Sequence, residues 1–297
     1  VISDTVTVKA GAAWGSASFN LARFYGVNAH VLKAVTPASG GLNGLSMVKV
    51  FNYNVGVPSS WPGPPPGQNQ PVPAGANALV CFLPPPAQLL AGQLDGQLRA
   101  FLSGAAPGSW LTANQEANDP SNQFWSQPGV SKPSDLQNVH GYLRDFCAKW
   151  APQVVYGQDF GSSPIYGAGQ DCTQYTVPGL GFYSFDAYDR PTQNASGQWV
   201  SKFTAAQVFA GMDQIRAKFP DANLAVTETN TQRVTLDPES AGQWFLDVAT
   251  VAENHGCIAY LTWWGPPGTS NPDWQKIEFT AGAPYVAALN QIAGQFS

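Results

Sequence analysis

Residues 108–120 read GSWLTANQEANDP, an apolar run through Trp110 and Leu111 that ends abruptly in amides and carboxylates, with Glu116 among them. The chain has only five glutamates, and a charge at the end of a buried strand costs desolvation unless something there uses it. An apolar strand whose C-terminal end turns polar is the pattern of a (β/α)8 barrel, where side chains at that end face the open mouth. Residues 223–230, NLAVTETN, repeat the pattern, with Glu228 where the apolar run stops.

Outward from these two stretches, eight strand-like runs recur: Ala12–Gly15, Ser46–Phe51, Ala78–Phe82, Ser109–Ala113, Gln153–Gln158, Gly181–Phe185, Asn223–Thr227 and Cys257–Trp263. Most are rich in Val, Leu, Ile or aromatics and bounded by Gly, Pro or Asn, as buried parallel strands are. Helix-like stretches lie between them. Ala87–Ser103 sets Leu90, Leu94, Leu98 and Phe101 on one stripe. Ser134–Trp150 opens on a candidate N-cap serine with Asp135 in the first turn, and Thr204–Phe219, Asp237–Asn254 and Ala281–Phe296 carry similar apolar faces. Strands alternating with helices predict a parallel sheet, and eight such units predict a TIM barrel spanning residues 1–297 as a single catalytic domain. The Pro-rich insert Val57–Asn77 then reads as a long loop at the active face rather than a domain boundary.

Composition narrows the function. Apolar residues make up 44% of the chain and charged residues 11%, well under the roughly 25% of an average soluble domain. The net charge of −5 comes without any basic stripe, which argues against nucleic acid as a partner. No apolar run approaches the roughly 20 residues of a membrane span. Abundant aromatics with scarce Lys and Arg suit a carbohydrate better than a phosphate ligand. The opening VISDTVTVKAG is neither a Met start nor a signal peptide, so Val1 reads as a processed or trimmed end. Cys81, Cys147, Cys172 and Cys257 lack the spacing of a zinc or redox motif and read as buried free thiols, with one disulfide as the alternative in an exported protein. Asn194 heads a formal glycosylation sequon. No metal and no cofactor is expected.

The chemistry follows from the two glutamates. Glu116 ends the fourth run and Glu228 the seventh, so in a barrel both reach into the mouth from opposite sides. Facing carboxyls are the machinery of glycoside hydrolysis, one protonating the leaving oxygen and the other attacking, at about 5–5.5 Å separation in a retaining enzyme. FYSFDAYD after the sixth run adds Asp186, Tyr188 and Asp189, and a Tyr beside a carboxylate nucleophile can keep it ionised by donating a hydrogen bond. Trp263 and Trp264 end the eighth run, and strand alternation turns only one of them inward as a sugar platform. Trp125, in the loop after Glu116, and Trp61, in the Pro-rich insert, are candidate walls further out. Trp61 packing its own loop against the rim is the alternative. His30, His140 and His255 fall in or beside helices and read as surface or cap residues, and Asp159 and Asp171 as loop caps that could line the cleft.

From about Trp110 to Trp264 the chain resembles glycoside hydrolase family 26, the β-mannanase family of the large clan of retaining (β/α)8 enzymes. The stretch ANQEANDPSNQFW, with Phe124 and Trp125 after Glu116, resembles the end of that family's fourth strand, YSFDAY the end of its sixth, AVTETN its seventh and LTWWG its eighth. The resemblance implies Glu116 as acid/base, Glu228 as nucleophile, and Gln115, Asn114, Trp125, Asp186, Tyr188, Trp263, Trp264 and Trp61 as substrate-binding residues. Gln115 stands where the family has His, which implies a divergent member. An extracellular setting, secreted or in a phage virion, a polysaccharide or oligosaccharide substrate and a monomeric state are expected with it. A non-catalytic carbohydrate-binding barrel, adhesin or lectin-like, and a transglycosylase using the same glutamates are the competing readings.

Overall fold

The computed structural model describes residues 24–28, 45–62, 72, 76–262, 264 and 282–296. Its strands are β1 (Phe24–Asn28), β2 (Met47–Val55), β3 (Asn77–Leu83), β4 (Ser109–Ala113), β5 (Val154–Gly161), β6 (Phe182–Asp189), β7 (Pro191–Gln193), β8 (Trp199–Ser201), β9 (Leu224–Thr231) and β10 (Ala259–Thr262). All but β7 and β8 pair in parallel around a closed barrel in the order β1-β10-β9-β6-β5-β4-β3-β2. The short antiparallel hairpin β7–β8 interrupts the connection from β6 to β9. This is a (β/α)8 TIM barrel, as the alternation of runs predicts.

Two apolar layers hold it. Inside the barrel, Met47, Leu79, Trp110, Val155, Phe182, Ala225, Ala259 and Leu261 form a floor. Trp110 and Phe182 stack there at 4.3 Å between ring centroids. Gly157 makes room for that stack, since a Cβ on it would lie 2.4 Å from the Phe182 ring. Outside the strands a larger core runs under the helices, with Leu143, Phe185, Phe245 and Leu289 among its buried members. On β2, β3, β5 and β6, alternate residues beyond the floor point toward the mouth: Lys49 then Phe51, Cys81, Asp159, and Ser184 then Asp186 and Tyr188.

Several expectations are corrected. The run Ala12–Gly15 lies outside the described residues, and the first barrel strand is Phe24–Asn28, paired with β2 and β10. The stretch expected as one helix over Ala87–Ser103 is two, Pro86–Leu90 and Asp95–Leu102, broken where Gly92 takes φ +71°. Thr204–Phe219 likewise splits into Ala205–Val208 and Gly211–Lys218. The break admits Gly211 against the sheet, where a Cβ would meet Phe185 at 2.4 Å. The helix expected from Ser134 starts at Pro133, its entry held by Asp135, whose carboxylate accepts from the Ser131 and Lys132 backbone N–H groups. Of the Pro-rich insert, only residues 57–62, 72, 76 and 77 are described. No helix among the described residues is long and apolar enough to cross a membrane, and all four cysteines are buried free thiols.

Candidate active site

A lysine that the sequence hides in the apolar run MVKVF organises the barrel mouth. Lys49 is wholly buried, and its ammonium lies 2.7 Å from Asp159, 2.9 Å from Asp186 and 2.9 Å from Glu228, carboxylates of β5, β6 and β9. An ammonium has three N–H donors, so all three are spent on this cage. Burial alone would depress the Lys49 pKa, but Asp159, Asp186 and Glu228 outweigh it and hold the group well above its ordinary value. Thr227 ties the cage together, its hydroxyl oxygen lying 2.9 Å from both Asp159 and Asp186 and its one O–H shared between them. Ser184 donates to the same Asp159 oxygen.

Glu228 reaches this cage through an irregularity in β9. Phe185 pairs with Val226 but Asp186 pairs with Glu228, so Thr227 is an extra residue on that strand. A bulge of this kind re-aims side chains. It lets both Thr227 and Glu228 serve the mouth, although neighbours on a regular strand point to opposite faces. Glu228 Oε1 receives Lys49 and the Gln115 amide at 2.8 Å, and its Oε2 receives the Tyr188 hydroxyl. Gln115 also donates to Asp186 at 2.6 Å, so both its N–H groups face carboxylates.

Glu116 arrives from the opposite side on a strained turn. Asn114 and Glu116, just after β4, take φ of 49° and 55°, in the left-handed region that costs a non-glycine residue about 1–3 kcal/mol. Surrounding bonds enforce it. The Asn114 N–H donates to Phe82 O at 3.0 Å and the Glu116 N–H to Asp159 O at 3.1 Å. The Asn118 side chain pairs with both the N–H and the C=O of Gly161, and Asn122 donates to Gln115 O. Gly161 leaves space for the carboxyl, since a Cβ there would sit 3.3 Å from Glu116 Cβ and Oε1. Burial, then the charges of Glu228 and Asp159, push the Glu116 pKa up to about 8 against the opposing pull of Lys49. The Asp186 carboxyl is pushed well above the usual range too, by burial and then by Asp159 and Glu228. Glu116, Glu228, Gln115, Asp186 and Tyr188 all line one cleft of about 470 Å³.

The aromatic expectations divide. Trp263 lies outside the described residues. Trp264 is fully buried and stacks on Tyr285 at 5.5 Å on the outer side of the sheet, so it presents no face to a sugar and is corrected to a core residue. Trp264→Ala is expected to cost about 3–5 kcal/mol of stability, the range for emptying a large aromatic site. Thermal melts should show that loss while turnover per folded molecule stays level; a full-stability, inactive variant would contradict the assignment. Trp125 does not line the cleft either. Its indole N–H holds Asp119 O at 3.0 Å and its ring meets Phe124 edge-on, so it braces the loop behind Glu116. Trp61 packs on Phe101 of the helix Asp95–Leu102 at 5.2 Å and is not among the residues that line the cleft. Asn114 is buried with its amide unpartnered and lies under the cleft rather than in its wall.

Lys49 escapes the sequence reading, its signal a lysine between valines in an apolar run. Asp159, expected as a loop cap that could line the cleft, is instead a strand residue, since β5 continues past Gln158, where the fifth run ends, to Gly161 and buries it. Asp171 does cap a turn, accepting from the Thr173 N–H. His140 is corrected from a surface position to a buried one, bonded to the Tyr156 hydroxyl at 2.8 Å. His30 lies outside the described residues.

No family model and no curated protein matches this chain. Solved structures match the fold at low identity. The hyperthermostable endo-1,4-β-D-mannanase of Thermotoga petrophila RKU-1 superposes with a TM-score of 0.56 at 10% identity, over 92% of this chain and 100% of that one. The catalytic domain of the family 26 endo-β-1,4-mannanase of Bacillus sp. JAMB-750 gives 0.54 at 10%, over 92% and 86%. The family 5 xyloglucanase of Bacteroides ovatus, solved with a XXXG heptasaccharide, gives 0.53 at 12%, over 97% and 81%.

Proposed function

We propose that the chain is a retaining glycoside hydrolase of polysaccharides, with Glu228 as nucleophile and Glu116 as acid/base. The observation that carries this reading is the contrast between the two carboxyls in one cleft. Glu116 holds its proton to about pH 8. Glu228 meets three donors, from Lys49, Gln115 and Tyr188, the surroundings of an anion. A carboxyl that keeps its proton beside one ringed by donors suits the roles of acid and nucleophile. The fold likeness to mannanases and a xyloglucanase supports the reaction class.

In this mechanism Oε2 of Glu228, which carries one donor against two on Oε1, attacks the anomeric carbon. Glu116 gives its proton to the departing glycosidic oxygen. The glycosyl ester on Glu228 is then cleaved by water, whose proton returns to Glu116. Reducing-end release from a panel of β-linked glycans, with the product anomer followed by proton NMR, tests the reading. Retained configuration supports it; inversion removes the nucleophile role, and no release from any glycan removes the hydrolase.

The pH dependence has a definite sign. Glu116 works protonated, so kcat/KM should fall above about pH 8. The folded chain also keeps a proton that the unfolded chain sheds near its ordinary 4.5, so stability declines as pH rises from 4.5 to about 8. An alkaline limb below about pH 6 would contradict the assignment of the acid.

A further inference from the structure

We propose that the cleft binds an acidic sugar, its carboxylate taken by Arg190 on the wall formed by the ends of β5 and β6. This rests on the hydrolase reading and names its substrate class.

Arg190 directly follows the last residue of β6, the strand whose Ser184, Asp186 and Tyr188 face the mouth. It shares the cleft lining with Tyr188, which touches Glu228. It lines the cleft and is exposed to it.

Its guanidinium is uncommitted. Of the other described arginines, Arg99 lies over Trp150, Arg144 pairs with Asp145, Arg216 donates to three carbonyls, and Arg233 grips Asp189 and Ser201. Among the described residues Arg190 has no ion pair and no side-chain hydrogen bond. A second polar group on the same wall is also unpartnered: Ser162, which lines the cleft at 1% exposure, has a buried hydroxyl without a hydrogen-bond partner.

The charge layout makes Arg190 selective. Apart from Arg190 itself and Lys49, whose donors are all spent, the Asp, Glu, Lys and Arg side chains that line or underlie the cleft among the described residues are all carboxyls: Glu116, Asp119, Asp159, Asp186 and Glu228. Among the described residues, Arg190 is the cation on this lining with donors left for an anionic substituent. A guanidinium matches a planar carboxylate with two parallel hydrogen bonds, and its single charge balances that of one uronate.

The test uses the full chain with Glu228→Gln, so that binding is read without turnover. Polygalacturonate, alginate and a glucuronate-bearing xylan are each compared with their carboxyl-reduced forms by titration calorimetry, while wild-type hydrolysis of the same polymers is assayed in parallel. At least one acidic polymer should bind about tenfold or more tightly than its reduced form, the effect of a charged hydrogen bond. Adding Arg190→Gln should bring that ratio close to one, and Arg190→Lys should restore part of it. Equal affinity for acidic and reduced forms, a ratio unmoved by Arg190→Gln, preference for a sulfated polymer over every uronate, or binding to none of the acidic polymers overturns the proposal. Hydrolysis confined to neutral glycans would keep the hydrolase and remove the acidic subsite. Arg190-dependent binding with no hydrolysis would keep the subsite and remove the hydrolase.

Discussion

Glu228→Gln is expected to lower kcat on the natural polymer by two or more orders of magnitude, and Glu116→Gln by a comparable factor. The two losses should differ in kind. Gln at 228 cannot form the glycosyl ester, so no leaving group rescues it. Gln at 116 cannot supply the proton, so an aryl glycoside whose phenol departs without protonation should recover much of the first step. External azide should then compete for the glycosyl ester, because nothing at 116 activates water for the second step. Neither substitution should unfold the chain. Gln at 116 removes a carboxyl that the fold holds neutral, so its melting temperature at pH 8 should equal or exceed that of wild type, with the difference shrinking toward pH 4.5. Two variants with near wild-type turnover on the polymer would remove both glutamates from the mechanism. A Glu116→Gln variant equally dead on activated and natural substrates would remove the acid role alone.

The sequence discloses the two glutamates because the chain is poor in charge and each stands where an apolar run stops. It discloses less of what surrounds them, for a physical reason. In V-K-V alternation a strand reads the same whichever face is inside, and only closure of the barrel decides that Lys49 points at Asp159 rather than at water. The bulge at Thr227 leaves no sequence mark either, since Val-Thr-Glu-Thr fits a regular strand. Trp264 shows the same ambiguity from the other side: of two adjacent tryptophans, alternation sends one outward, and the helix packed there buries it against Phe245 and Tyr285. Strand positions survive this ambiguity, because seven of the eight expected runs overlap a barrel strand. Helix ends survive it less well, since the breaks near Gly92 and Gly211 answer to local geometry and close packing rather than to periodicity.

Lys49→Met should damage the fold severely at neutral pH. Methionine fills a similar volume, so the effect isolates charge. The substitution leaves Asp159, Asp186 and Glu228 facing one another with no cation, in a site where Lys49 is 0% exposed. Removing one partner of a buried ion pair typically costs about 3–5 kcal/mol, a large share of the 5–15 kcal/mol that stabilises a typical protein. A fall in melting temperature on the order of 10 °C follows for a chain of this size. The pH dependence separates charge from packing. Wild-type Lys49 has its pKa raised in the fold, so its stabilisation is complete below the ordinary 10.5 and is lost only as pH rises through the folded value. In Lys49→Met the carboxylates relieve their repulsion by taking up protons, so the deficit should be deepest near pH 7.5 and shrink by pH 5. Lys49→Arg keeps the charge but forces a larger head into the cage, and should melt above Lys49→Met at pH 7.5 while still losing turnover. If Lys49→Met melts within about 2 °C of wild type at both pH values, the ammonium is not what holds the carboxylates of the mouth together.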